Sequence, residues 1–488
     1  MQATNRNTLT ERIEDGRITR GLVAGGVYTA GGRAVALLVQ VIVGIVQARY
    51  LTPSDFGLFG MVTTITSFTI IFKELGLSYA TIQTQDINYE QVNALFWVNA
   101  LVGTILTCAT AASAWPIAAF YKTRAVVPLT LAMSTVFLLS GISVQHAAIL
   151  KRKMRFREMA VADVGSAILG ALVGLLLVLQ GVGVWALVLM QIVKWLAYNL
   201  LVWGYLPWMP SRPRAEAGIR SLVTFGGNIM AFDFVNYFSK NVDRILIGRY
   251  YGAGILGFYS KALELITLPI TQIRGPLTVV GIPALSALQE DGPRFSRHFI
   301  AITEINAALC VPAMLWLSAG ADFLVPLLLG HQWIDAIPYF RWLAAAGVFQ
   351  SAVGILGTML IASGNSKRYL IWGLWHGAAM ALCYASILFT TPLTMVKLFL
   401  VVNAAVFVPS AYFCSYGTWV KARDFLWAHA MPFGFGGLGL LGWWAGGRLL
   451  GTPDHIITFA ARTSLFMVVA LGWLGFRWKK YWAVLRRR

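Results

Sequence analysis

Long apolar runs alternate with short polar segments along almost the whole chain. A helix that crosses a bilayer needs about 20 predominantly apolar residues, and about fourteen runs reach that length. The pattern therefore predicts an all-α, polytopic membrane protein with about 14 transmembrane helices. The first run begins near Leu22 and is too long for the apolar core of a cleavable signal peptide, so we interpret it as a membrane span.

Two short turns of similar sequence each join a pair of these runs. The first reads A-R-Y-L-T-P-S-D-F-G-L-F-G from Ala48 to Gly60, and the second reads G-R-Y-Y-G-A-G-I-L-G-F-Y-S from Gly248 to Ser260. Residues 200 positions apart correspond, and the shared repeat-turn motif consists of Arg49, Tyr50, Gly57, Arg249, Tyr250 and Gly257. An even number of predicted spans separates the copies. Both copies therefore face the same way, as in the parallel repeats of alternating-access transporters.

The repeat predicts two six-helix lobes around a central cavity, followed by two further helices. The predicted segments are a cytoplasmic N-terminal tail (1–22), an N-lobe (23–208), a cytoplasmic linker (209–220), a C-lobe (221–420), a final helix pair (421–476) and a basic cytoplasmic tail (477–488). The linker and the tail are both rich in arginine, which favours the same side of the membrane for each.

Composition and charge narrow the function classes. The chain is 58% hydrophobic and 12% charged, with a mean hydropathy of +0.68, whereas soluble domains are about 25% charged. The formal net charge of +19 is typical of a nucleic-acid-binding protein, but most of the basic residues lie in short segments between apolar runs. With a cytoplasmic N-terminus, the cytoplasmic segments hold roughly 25 Lys and Arg residues and the outer ones roughly five. We therefore predict both termini in the cytoplasm and no nucleic-acid partner.

Charged residues inside the apolar runs are the candidate functional residues, because each costs about 2.5–3.5 kcal/mol to insert and must face protein, water or a partner charge. The predicted substrate-binding cations are Arg33, Lys194, Lys240, Arg244, Lys261 and Arg274. The acidic residues Asp233, Asp243 and Glu264 are candidates for ion coupling or for pairing. Helical spacing places Asp233, Lys240 and Arg244 on one stripe, and it allows Lys261 to pair with Glu264.

These bases outnumber the acids, so complete pairing would leave cations over. Surplus cations at membrane depth indicate a multiply charged anion such as a diphosphate, which arginine binds as a planar fork and lysine as a point charge. The alternative is that the charges are structural ion pairs between helices, and the sequence leaves it open.

Sequence motifs that resemble catalytic, cofactor or metal sites are rejected here because their sequence context does not fit such sites. Gly437–Gly442 matches G-x-G-x-x-G but lies inside an apolar run with no strand before it, so a dinucleotide site is rejected. The cysteines lie in apolar runs without a C-x-x-C, which favours packing roles. We therefore predict no cofactor, no metal and no enzymatic activity. The aromatic residues Trp115, Tyr121, Trp208, Trp333 and Trp478 are interpreted as membrane-interface residues.

Several segments resemble a known family. They are Ala48–Gly57, Glu74–Gln83 (E-L-G-L-S-Y-A-T-I-Q), Gln91–Asn99, Val242–Gly252 and Leu327–Trp333. Together they are similar to the polysaccharide transporter family, the Wzx-like flippases of lipid-linked oligosaccharides, and especially to its colanic-acid-type exporters. The resemblance runs from about residue 22 to about residue 420.

This resemblance implies the fold of the multidrug/oligosaccharidyl-lipid/polysaccharide exporters. It implies movement of undecaprenyl-diphosphate-linked oligosaccharide across the bacterial inner membrane, from the cytoplasmic to the periplasmic leaflet, for exopolysaccharide or lipopolysaccharide biosynthesis. It also implies contact with membrane lipid, with a polysaccharide polymerase and with a chain-length regulator. By location, it assigns the cationic cavity of the family to Arg33, Lys240, Arg244, Lys261 and Arg274.

Two other functions stay open. A multidrug or organic-cation antiporter of the same fold would need an acidic or apolar pocket. A membrane polymerase or ligase of lipid-linked sugars would need paired catalytic residues in a large outer loop. The longest predicted outer loop, Gly320–Ile337, offers only Asp322, His331 and Asp335 for that role.

Overall fold

The computed structural model describes residues 15–74, 81, 88–212, 219–450 and 456–468, and for residues 15–30, 33, 67–74, 219–240 and 450 it describes the backbone only. These residues are helical almost throughout, and no strand occurs among them. The predicted basic tail (477–488) and half of the predicted linker (213–218 of 209–220) lie outside the described residues. The all-α prediction is confirmed.

The chain divides into two compact units, residues 1–257 and residues 258–488. The helices of unit 1 are α1 (Asp15–Tyr50), α2 (Pro53–Glu74), α3 (Tyr89–Ala112), α4 (Ala114–Tyr121), α5 (Val126–Arg152), α6 (Phe156–Leu179) and α7 (Trp185–Tyr205). A long helix, α8 (Ile219–Ser286), passes from unit 1 into unit 2. The helices of unit 2 are α9 (Gly292–Ala319), α10 (Ala321–Leu329), α11 (Ile337–Ala362), α12 (Ser366–Ala385), α13 (Pro392–Ser415), α14 (Ala422–Leu450) and α15 (Ile456–Val468).

Helix α8 is broken at Gly252, whose φ of 80° and ψ of −177° are not helical. We call the part before the break α8N (219–251) and the part after it α8C (253–286). Positive φ with extended ψ is a region that only glycine adopts readily. The break therefore divides α8 at the second copy of the repeat turn.

Within the described residues, nine helices are long and apolar enough to cross a membrane, and Ala34–Tyr50 and Ile456–Val468 are shorter apolar helices. Only Gln180–Val184 separate α6, which ends at Leu179, from α7, which begins at Trp185. The polytopic membrane fold is therefore confirmed.

The loops of unit 1 collect at two ends. At one end, which we call the turn end, the backbone N–H of Val184 donates to Asp55 Oδ1 at 3.1 Å, and the Arg249 guanidinium lies 5.4 Å from the Phe120 ring centroid. At the other end, which we call the basic end, Trp97 Nε1 donates to the Ser211 carbonyl at 2.7 Å and Arg155 Nη1 donates to the Tyr205 carbonyl at 3.0 Å. Successive helices of unit 1 thus run alternately between its ends, as membrane spans do.

Three of the aromatic residues predicted at the membrane interface are buried inside the protein and do not face lipid. Trp208 is 2% exposed and packs with Phe96 and His146, while Trp333 is 0% exposed and Tyr121 is 4% exposed. The loops fold back over the helix ends, and a buried aromatic ring contributes a large apolar area to the core. Trp115, at 60% exposure, is at the surface as predicted, and Trp478 lies outside the described residues.

The predicted outer loop Gly320–Ile337 of unit 2 is folded into α10 and a 3₁₀ helix, His331–Ala336. Asp322 of this segment forms an ion pair with Arg341 of α11. Helix α11 runs through the core of unit 2, where Leu356 and Met359 pack with Phe299 and Phe425. The segment is thus a compact cap and not a long open loop.

Candidate functional site

The two copies of the repeat turn meet in the structure, inside unit 1. A Cβ added at Gly57 would fall within 3 Å of the Ala253 backbone, and one added at Gly257 would fall within 3 Å of the Pro53 carbonyl group. Residue 53 corresponds to residue 253 and residue 57 to residue 257, so the contact is reciprocal. Tyr50 and Tyr250 are also equally exposed, at 59% and 58%. The 200-residue correspondence seen in the sequence is therefore present in the packing.

The two copies build this turn with different residues. In the first copy, Thr52 precedes α2 and exchanges hydrogen bonds with Asp55: the Thr52 N–H donates to Asp55 Oδ2 at 2.9 Å, and the Asp55 N–H donates to Thr52 Oγ1 at 3.2 Å. This is a capping box, which satisfies free N–H groups at a helix start. In the second copy the corresponding position is Gly252, where the chain turns by its positive φ.

Lys194 lies in a cavity of about 230 Å³ in unit 1, between α5, α6 and α7. The polar and aromatic side chains that line it are Ser143, Lys151, Asp163, Ser166, Lys194, Trp195 and Tyr198. Pockets for drug-sized ligands measure about 300–1,000 Å³. The cavity is thus large enough for one sugar ring or one phosphate group, but not for a complete oligosaccharide.

The close approach of α6 and α7 positions Lys194. A Cβ added at Gly170 of α6 would lie 2.8 Å from the Met190 carbonyl oxygen and 2.9 Å from the Lys194 Cβ. Among the described residues, no carboxylate lies within ion-pair distance of the Lys194 ammonium, although Asp163 lines the same cavity. Lys194 is therefore a cation in an apolar helix with a cavity in front of it.

Two predicted residues lie side by side on α8N. Arg244 is half-buried, and its Nη1 donates to Asn241 Oδ1 at 3.5 Å, but no described carboxylate pairs with it. Its Nε is sealed from solvent without a hydrogen bond. Asp243 is 2% exposed and has interactions of its own within the structure.

In unit 2, the predicted pair of Lys261 and Glu264 is present on α8C, with Nζ 3.1 Å from Oε2. Arg274, three turns further along α8C, has no carboxylate within ion-pair distance among the described residues. Its guanidinium lies directly against Gly354 of α11. Unit 2 therefore contains one predicted cation that is paired and one that is not.

The side chains of Arg33, Asp233 and Lys240 lie outside the described residues, so their predicted roles stay predictions. The structure adds cavity residues that the sequence analysis missed, namely Lys151, Ser166, Trp195 and Tyr198. A signal for them existed: Lys194 and Tyr198 are one helical turn apart, as are Asp163 and Ser166, so each pair shares a helix face. No group of three or more His, Cys, Asp or Glu side chains that could hold a metal occurs in the described ranges.

The helical membrane fold of this chain is shared with solved structures. It is similar to the structure of the lipid II flippase MurJ in an inward closed conformation, with a TM-score of 0.73 at 13% identity, covering 94% of this chain and 99% of that one. Residues 46–338 match the model of a family described as "Polysaccharide biosynthesis protein". The chain belongs to this family.

Curated relatives extend the match over most of the chain. The teichuronic acid biosynthesis protein TuaB of Bacillus subtilis (strain 168) is 24% identical over 422 residues, which cover 85% of this chain and 87% of that protein. The succinoglycan biosynthesis transport protein ExoT of Rhizobium meliloti (strain 1021) is 26% identical over 345 residues, 70% of each chain. The name of ExoT, a transport protein, agrees with the prediction of a transport protein that is not an enzyme.

Proposed function

We propose that the chain moves undecaprenyl-diphosphate-linked oligosaccharide units from the cytoplasmic to the periplasmic leaflet of the bacterial inner membrane. It works by alternating access, with both termini in the cytoplasm, and it supplies exopolysaccharide or lipopolysaccharide biosynthesis. The family match supports a role in polysaccharide biosynthesis, and the fold of MurJ supports the movement of a lipid-linked sugar. A polysaccharide polymerase and a chain-length regulator are the partners expected to receive the product.

The observation that carries the proposal is a surplus of positive charge inside apolar helices. Of the predicted cations whose side chains the structure describes, Lys194, Arg244 and Arg274 have no carboxylate within ion-pair distance, and only Lys261 has one. An uncompensated charge at membrane depth costs several kcal/mol. A diphosphate that enters the protein would supply the missing negative charge, and arginine would bind it through paired N–H donors.

The remaining parts of the substrate differ in chemistry and need different surroundings. The prenyl chain is apolar and stays in the bilayer. The glycan is polar, and the cavity beside Lys194 offers it hydroxyl groups from Ser143 and Ser166 and the rings of Trp195 and Tyr198. Because the cavity holds about one sugar ring, it serves one part of the glycan and not the whole unit.

The same charges argue against an organic-cation antiporter, since a basic site repels cationic cargo. A polymerase is also disfavoured, because Asp322 of the folded outer segment already pairs with Arg341. The proposed function therefore rests on a cationic site that binds and releases an anion without breaking a covalent bond.

The test is the sidedness of the lipid-linked unit in cells. Depletion of the protein should cause complete undecaprenyl-diphosphate-oligosaccharide to accumulate, protected from a membrane-impermeant reagent that labels glycans. Wild-type protein should restore labelling, whereas the Arg244→Ala/Arg274→Ala double variant should not. Arg294→Ala is the matched control, because Arg294 is a surface residue with a 60% exposed side chain, paired with Asp291. Complete units that are already labelled in depleted cells would refute the proposal.

A further inference from the structure

The guanidinium of Arg274 lies against Gly354 of α11 in unit 2, and we call this position the seat of Arg274. A Cβ added at Gly354 would overlap Arg274 Nη1 and lie 3.0 Å from Arg274 Cζ. The Nη1 end of the guanidinium therefore points at the backbone of α11, in space that any other residue at position 354 would fill. Only glycine leaves this space open.

The seat leaves the guanidinium available to a ligand. Arg274 is half-buried and makes no hydrogen bond or ion pair with a described residue. Arg244 Nε is sealed from solvent without a partner, whereas the Arg274 nitrogens are not completely buried. The Arg274 nitrogens thus keep some access to solvent, although the residue as a whole is half-buried.

A second donor lies near this space. Burial is the main influence on the Arg274 charge, and the side chains of Cys310 and Tyr369 lie close enough to act on it electrostatically. The Tyr369 ring, on α12, lies on the same helix α11 one turn further along, where a Cβ added at Gly357 would be 3.2 Å from Tyr369 Cε2. Two glycines of α11 therefore seat two side chains that carry hydrogen-bond donors.

We infer that Gly354 is a positioning residue, and that Arg274 and Tyr369 together bind one phosphate group of the substrate. The inference rests on the proposed function and names the residues of unit 2 that carry it out. The guanidinium supplies a planar fork of N–H donors and the phenol supplies one O–H donor, which suits a tetrahedral oxyanion. Gly354 itself does not touch the ligand; it determines where the guanidinium lies.

Gly354→Ala separates positioning from folding. The atom in its way is the far end of a flexible side chain, so Arg274 can swing aside and the helices need not move apart. We expect thermal unfolding to be unchanged, while binding of an anion at the seat is weakened. Gly347→Ala is the matched control on α11, because its methyl group would meet Met314 and Ile270 and not Arg274.

The experiment is equilibrium binding of undecaprenyl diphosphate to purified full-length protein in nanodiscs, with undecaprenol as the neutral reference. We expect Gly354→Ala and Tyr369→Phe each to raise the Kd for the diphosphate about tenfold and to leave the Kd for undecaprenol unchanged. In an Arg274→Lys background, Gly354→Ala should have less than about a twofold effect, because the colliding guanidinium is gone. Gly347→Ala should bind as wild type does.

The outcomes distinguish the inference from the proposed function. If the wild type binds undecaprenyl diphosphate no better than undecaprenol, diphosphate recognition fails and both fall. If the wild type binds it selectively but Gly354→Ala is neutral, or weakens binding equally in the Arg274 and Arg274→Lys backgrounds, only the positioning role is overturned. If Gly354→Ala alone cannot be purified, the Arg274→Lys/Gly354→Ala variant decides, because the inference requires it to bind as Arg274→Lys does.

Discussion

The reciprocal contact between α2 and α8C predicts that one added methyl group will open the turn end of unit 1. In Gly57→Ala the new Cβ meets the Ala253 backbone, and in Gly257→Ala it meets the Pro53 backbone. A backbone atom cannot rotate aside as a side chain can. The helices must therefore move apart at this crossing in either variant.

The size of the effect follows from the packing. Over-packing a close-packed interior costs about 1–3 kcal/mol, and a rigid obstacle places these variants near the upper value. About 3 kcal/mol corresponds to a little more than a 100-fold change in the ratio of molecules in which α2 and α8C are in contact to molecules in which they have separated. Both glycines belong to one crossing, so the double variant should cost less than the sum of the single variants.

Met61 provides the reporter for this prediction. It is 1% exposed, one helical turn beyond Gly57, and its Cγ would lie 3.4 Å from a Cβ added at Gly248 of α8N. In a background without the native cysteines, Met61→Cys should react with an impermeant maleimide only when the crossing is open. We expect each glycine variant to raise the labelling rate roughly 100-fold.

Gly254→Ala is the matched control, because nothing lies within 4 Å of its added methyl group. It makes the same chemical change three residues from Gly257 and should leave the labelling rate unchanged. If folded Gly57→Ala protein is labelled no faster than this control, the reasoning is refuted.

Three further predictions concern single side chains whose surroundings the structure describes. Asp55→Ala should lower stability by about 1–2 kcal/mol in thermal unfolding, because it removes the cap of α2 and the acceptor for the Val184 N–H; an unchanged transition would contradict this. Lys194→Ala should reduce polymer export at an unchanged protein level while Lys194→Arg retains it, and equal export by both would exclude a charge requirement. Glu264→Leu should destabilise the protein by about 1–2 kcal/mol, because the Lys261 side chain is only 5% exposed. The Lys261→Met/Glu264→Leu double variant should be close to wild type in the same unfolding assay.

The helices of this chain were predictable because the bilayer restricts what a chain can do. Backbone polar groups must be satisfied internally in lipid, so an apolar run of sufficient length can only be a helix there. Helices α6 and α7, for example, each follow one apolar run of the sequence. The repeat was predictable because both copies keep a glycine, Gly57 or Gly257, at the position where the two copies touch.

The candidate site was predictable only in part. The cost of inserting a charge marks Lys194, Arg244 and Arg274 without any knowledge of the fold. Local spacing also gives the Lys261–Glu264 pair, which is present at 3.1 Å. Contacts between distant segments leave no such mark, which is why the seat of Arg274 on Gly354 could not be predicted.

The position of a residue along a membrane helix and the side of the helix it faces are separate properties. The sequence predicts only the first for these aromatic residues. Trp115 and Trp208 both lie near the ends of apolar runs, and both were predicted at the interface. Trp115 is 60% exposed and Trp208 is 2% exposed, because Trp208 faces Phe96 and the helices of its own unit. An aromatic residue at a span end therefore predicts a position along the membrane normal, but not exposure to lipid.

Glycine shows the same limit most clearly, since one residue type has three different surroundings here. A methyl group added at Gly57 would meet backbone, one added at Gly354 would meet the end of an arginine side chain, and one added at Gly254 would meet nothing within 4 Å. The first substitution should separate helices, the second should displace a charged group, and the third should do neither. In the sequence all three are glycines in apolar surroundings. What distinguishes them is the atom on the other side of the contact, and that atom belongs to a distant segment at both positions where glycine is required.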